Sequence, residues 1–139
     1  MNKILTTILT LTIISNCSNI SEITPKVEIK KEDPFEVARQ SCLAENAQGC
    51  IDFGWIMVEQ KDYKLAKTAF GMAYDYGDKD AGMRGHSYVK CLEKNAASCW
   101  LLGYYAEDGI GGSQDYKLAR KFYQKAIDLG DTDFRQTLL

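Results

Sequence analysis

A single histidine, His86, is all that this 139-residue chain offers to imidazole chemistry. A Ser-His-Asp or Cys-His arrangement would have to recruit it, yet it lies inside a helical stretch with no visible catalytic partner, and it reads as a surface or core residue. Positive charge is not in excess: 17 Lys and Arg stand against 19 Asp and Glu, a net of −2, so no electrostatic pull toward nucleic acid exists. Strand-like alternation of apolar and polar residues is absent, which removes a sheet from the expected architecture. The apolar run from Ile4 to Ile14 is too short to span a membrane as a helix. Gly109-Ile110-Gly111-Gly112 is not followed by Gly-Lys-Ser/Thr, so it is a helix–helix turn and no phosphate loop. No cofactor site is visible, and none is expected.

What the chain does contain is helical periodicity. Apolar residues make up 45% of the sequence and charged residues 26%, a balance that folds, and the length suits one domain. Asp33-Pro34-Phe35-Glu36 carries a helix-start signal. Asp62 precedes Leu65, Ala66, Ala69, Phe70, Ala73 and Tyr74 at spacings of three and four, and Gly77 closes the run. Asp115, Leu118, Ala119, Phe122, Tyr123, Ala126, Ile127 and Gly130 repeat that pattern 53 residues later. Upstream, Cys42, Cys50 and Gly54 recur as Cys91, Cys99 and Gly103 at an offset of 49, the difference falling in the glycine turn. Such self-similarity predicts an all-α fold, a short α-α solenoid of antiparallel helix pairs. Helices are expected near 34–45, 49–60, 63–76, 79–93, 97–108 and 116–129.

The N-terminus starts with Lys3 and the short apolar run, the layout of a signal peptide over residues 1–16. Ile14-Ser15-Asn16-Cys17 resembles the lipobox of bacterial lipoproteins, with Asn16 where that pattern has Gly or Ala. The resemblance implies an exported chain acylated on Cys17, placed in the periplasm or on the outer membrane, or secreted. Residues 17–33 are polar and read as a tether, which at this length spans roughly 20–25 Å. The helical repeat domain is expected over 34–131, with a tail at 132–139.

Ala97-Ser98-Cys99-Trp100-Leu101-Leu102-Gly103, Asp108-Gly109-Ile110-Gly111, Asp115-Tyr116-Lys117-Leu118-Ala119 and Phe122-Tyr123-Gln124-Lys125-Ala126 together resemble the Sel-one-like repeat, a relative of the tetratricopeptide repeat. A degenerate copy runs from Gly49 to Gly77, and Met57 and Ala106 stand where the family has a Tyr. The four cysteines look like those of the secreted cysteine-rich branch of that family, in which a disulfide joins the end of one helix to the start of the next. That resemblance implies Cys42–Cys50 and Cys91–Cys99 bonds. A zinc site is the competing use of four cysteines, but its ligand pairs usually sit closer together in sequence.

Two functional readings follow. In the first, the chain binds a protein or peptide and catalyses nothing. Equivalent helices of a solenoid line one continuous face, where Trp55, Glu59, Trp100, Tyr104 and Tyr105 are the candidate anchors and the acidic neighbours favour a basic partner; the competing reading makes most of these aromatics core between stacked helices. A scaffold or an inhibitor-type binder of the bacterial envelope would have this form. The rival is a penicillin-binding or weak β-lactamase-like protein, because Ser87-Tyr88-Val89-Lys90 fits Ser-x-x-Lys. Its companion motifs are missing, and Ser87 and Lys90 are given instead to packing on a helix surface. Glu59, Glu107 and Asp108 are further acid–base candidates, read as solvated helix-end residues.

Overall fold

An Asp or Asn stands immediately before every helix. In the computed structural model, which describes residues 32–130, all six of these side chains act as caps. Asp33, Asn46, Asp62, Asp78, Asn95 and Asp115 each accept a hydrogen bond from a backbone N–H in the first turn that follows. Each cap satisfies a donor the helix would otherwise leave orphaned and contributes about 1 kcal/mol. The helices are α1 Pro34–Leu43, α2 Ala47–Glu59, α3 Tyr63–Asp75, α4 Lys79–Leu92, α5 Ala96–Asp108 and α6 Tyr116–Asp128. Their ends lie within two residues of the expected ones, and no strand occurs among the described residues. The signal segment 1–16, Cys17, nearly all of the tether and the tail 132–139 lie outside the described residues. Among the described residues, no helix is long and apolar enough to cross a membrane.

Short turns place consecutive helices side by side, while α2 also reaches α4 and α1 also reaches α3. This is a linear helical array, and its interior falls into two clusters. The larger contains Cys42, Cys50, Phe53, Met57, Ala66, Ala69, Phe70, Ala73 and Val89. The smaller consists of Cys91, Cys99, Leu102 and Ala126, with Tyr88, Trp100, Phe122 and Leu129 packed against them. Met57 and Ala106 are both buried, 2% and 0% exposed. An apolar Met and a small Ala thus fill interior positions where the family's Tyr would bring a hydroxyl requiring a partner.

Each cluster holds one disulfide. Cys42 is bonded to Cys50 across the α1–α2 turn and Cys91 to Cys99 across the α4–α5 turn, with Cα–Cα distances of 4.3 and 4.7 Å. These are the bonds the family resemblance implies, and they leave no thiolate of the four for a metal.

The four-residue insertion has its own packing. Gly109 and Gly111 take left-handed φ of 71° and 65°, a region open to glycine without a Cβ penalty. A Cβ on Gly111 would lie 2.4 Å from the Asp80 carbonyl oxygen. Arg84 Nη1 donates to the Ile110 carbonyl at 3.2 Å. The glycine turn is therefore laid down on the N-terminal half of α4.

Candidate functional site

Small residues let the helices approach, and aromatic rings fill the resulting contacts. Gly54 of α2 faces Phe70 of α3, where an added Cβ would lie 2.6 Å from the ring. Gly103 of α5 faces Tyr123 of α6 in the same way, at 2.4 Å. The same glycine–aromatic wedge thus holds both repeats together, one residue before Trp55 in the first and before Tyr104 in the second.

Trp55 meets Phe70 and Tyr88 in T-shaped contacts, with ring centroids 5.2 and 5.1 Å apart. Tyr88 in turn meets Phe122 at 6.2 Å. This row joins α2, α3, α4 and α6. The other expected aromatic residues form a separate group on α5: Trp100 stacks on Tyr104 at 6.1 Å and lies 5.9 Å from Tyr123, and Tyr104 adjoins Tyr105. The period contains three helices, so α3 and α4 lie between α2 and α5 in the chain, and Trp55 and the α5 rings form two groups on helices that make no contact with each other among the described residues.

Within these groups exposure differs sharply. Trp55 and Tyr104, equivalent by the 49-residue offset, are each 38% exposed, whereas Tyr105 is buried. Glu59, Glu107 and Asp108 are exposed at helix ends. The Tyr123 hydroxyl donates to Glu107 Oε2 at 2.6 Å. Burial first, then this bond, push the phenol's pKa well up. Tyr104 is raised mainly by its hydroxyl's bond to Asp108, and Tyr105 mainly by burial. The Tyr123 phenol holds Glu107 and the Tyr104 phenol Asp108; Glu59, on α2, takes no part in that arrangement.

Residues 96–131, covering α5, the glycine turn and α6, match the family model of the Sel1 repeat. Over those residues, the last two of the six described helices, the chain is similar to a Sel1 repeat. Repeats of this kind are generally protein–protein interaction modules. Comparison with curated proteins and with solved structures yields no match.

The helix leading into the Sel1-like repeat, α4, carries the residues of the catalytic alternative. Ser87 does not pack on a helix surface as expected: it is 6% exposed, while Lys90 is exposed. The cause is the turn of α4, which points Ser87 inward between buried Gly85 and Val89. A nucleophile so covered presents no hydroxyl to a substrate. His86, one position earlier, lines a groove between α3 and α4 with Phe70, Gly71, Tyr74, Asp75, Gly82 and Met83. Burial, then the charges of Lys90 and Lys67, lower its pKa. A lowered folded-state pKa means the neutral form is the better bound in the fold. Its contribution is present above the unfolded value of about 6.5 and is lost as pH falls below it. Denaturant midpoints measured between pH 7.5 and 5 should therefore fall for the parent chain and fall less for His86→Gln; parallel pH profiles would refute this.

Proposed function

We propose that this chain is an exported, membrane-tethered helical-repeat protein that holds a protein partner in the bacterial envelope. The observation that carries the binding reading is the pair Trp55 and Tyr104, large aromatics kept at equivalent positions and at 38% exposure in both halves of the array. An aromatic used only for packing would be expected to close over. Half-open rings on a rigid helical scaffold are the usual anchors of an interface, and the Sel1-like repeat supports a protein as the ligand. Two disulfides support export, since they persist where thiols are oxidised. The Cys17 context supports a lipid anchor.

The test is photo-crosslinking of the full chain in its native envelope, comparing it with Trp55→Ala/Tyr104→Ala. Each truncation should weaken the partner by about ten- to thirty-fold, the loss of roughly 1.4–2 kcal/mol per anchor, so the double variant should lose it. A folded double variant that retains the same partner would refute the reading. Tethering is tested separately: Cys17→Ser should abolish incorporation of a labelled palmitate and release the chain from the membrane fraction.

A further inference from the structure

Charge is unevenly divided along the array. Residues 32–59 contain six acidic side chains, Glu32, Asp33, Glu36, Glu45, Asp52 and Glu59, and a single base, Arg39. Residues 60–130 carry a small excess of bases over acids. Arg39 is already committed to Glu36, with Nη2 2.6 Å from Oε1. That contact, with Gln40 beside it, holds the Glu36 carboxyl down at about 2. Among the described residues no cation pairs with the other five acids.

The same end carries an open apolar groove. Pro34, Val37, Ala38 and Ser41 of α1 and Asp52, Trp55 and Ile56 of α2 line it. Val37 is shared with an adjoining hollow bordered by Glu32, Asp33, Glu36 and Gln40. Val37 is 47% exposed and Trp55 38%. On its covered edge Trp55 meets Tyr88 of α4, so this flank of α2 is already occupied by a helix. Its groove flank, bordered only by α1, offers another helix a similar apolar seat.

We infer that this groove is the docking surface for a basic amphipathic helix of a partner protein. Apolar side chains at i and i+3 or i+4 fill the groove at Val37, Trp55 and Ile56, the spacing that a helix seated between helices presents. Lys or Arg on the flanks of that helix meet Glu32, Asp33 and Asp52, which supplies the charge complementarity that speeds encounter and rejects acidic competitors. A second copy of this chain fits less well. Its α6 shows exposed Lys117, Arg120 and Lys121, but on that stripe the one exposed large apolar side chain is Tyr116. It offers the charge without the row of anchors. The inference rests on the proposed binding function and names the partner chemistry for the Trp55 half of it.

The test uses the full-length oxidised chain and a fluorescent 18-residue helical peptide with a Leu face flanked by Lys and Arg, followed by anisotropy. A matched peptide with Glu in place of every Lys and Arg is the control. The basic peptide should bind at least ten-fold more tightly than the acidic one. Val37→Gln and the pair Glu32→Lys/Asp52→Lys should each weaken it by at least five-fold, and Gln124→Ala, at the far end, should leave it unchanged. All three positions of the first two variants are exposed, so folding is preserved, and melting curves would confirm it. Equal binding of the two peptides, or indifference to the groove variants, overturns the inference. So does self-association abolished by Lys121→Glu, which would make a second copy the occupant. A partner crosslinked through Tyr104 alone would leave the general binding reading standing while this one falls.

Discussion

Phe70→Ala is expected to lower the unfolding free energy by about 3–5 kcal/mol, the range for emptying a large buried aromatic site. A domain of this size has only about 5–15 kcal/mol in total. Phe70 is fully buried and sits where three helices meet. Its ring faces Gly54 of α2 and Gly85 of α4, where added Cβ atoms would lie 2.6 and 2.4 Å away, and it makes a T-shaped contact with Trp55. Gly54 and Gly85 have no side chain to swing into the void, so the site relaxes poorly on those sides and the cost belongs near the top of the range. Gly85→Ala should also destabilise, because its new methyl meets the ring. Gly71→Ala is the matched control: nothing lies within 4 Å of its added Cβ, and Ala is the better helix former by about 0.5–1 kcal/mol. Denaturant titrations of the three variants decide the matter. A Phe70→Ala cost below about 1.5 kcal/mol, or a Gly85→Ala as harmless as Gly71→Ala, would show that the wedge does not hold these helices.

Helix positions were legible because the signals are local: Asp62 and Asp115 open, and Gly77 and Gly130 follow, runs of apolar residues spaced by three and four. The glycine wedge was half legible. Gly54 and Gly103 stand out in the sequence as recurring positions, but which ring fills the gap over each depends on side-chain direction across helices. Gly85 gave no such hint, since it has no counterpart among the recurring positions. The ends of α1, α2 and α4 were blurred for a different reason. Glu45, Lys61 and Lys94 take left-handed φ near 61–65° just past those helices, a role for which glycine is the usual marker. That Trp55 and Trp100 sit on helices separated by two others was not legible, because equivalence in sequence fixes the period and not the number of helices within it. Ser87 and His86 were ambiguous because a helix of mixed composition such as α4 declares its buried side only once its neighbours are known.

The second large effect should come from the disulfides. Each closes a loop with a sequence separation of eight, for which the chain-entropy model gives about 2–3 kcal/mol. Reducing both, or replacing all four cysteines by Ala, should therefore remove about 4–6 kcal/mol if the two act independently. One bond alone should be worth roughly 10–20 °C in Tm for an array of this length. Loop entropy alone predicts equal costs, but the surroundings differ. Cys42 and Cys50 are two members of a large buried cluster, whereas Cys91 and Cys99 supply two of the four fully enclosed residues in the smaller one. Cys91→Ala/Cys99→Ala thus also thins the interior that seats Tyr88, Trp100 and Phe122, and it should cost more than Cys42→Ala/Cys50→Ala. The α4–α6 end should then open first, exposing Trp100 while Trp55 stays packed, which single-Trp variants can follow by fluorescence. Equal melting shifts would assign the whole effect to the unfolded chain. An unchanged Tm on full reduction would mean that caps and aromatic wedges alone hold the array.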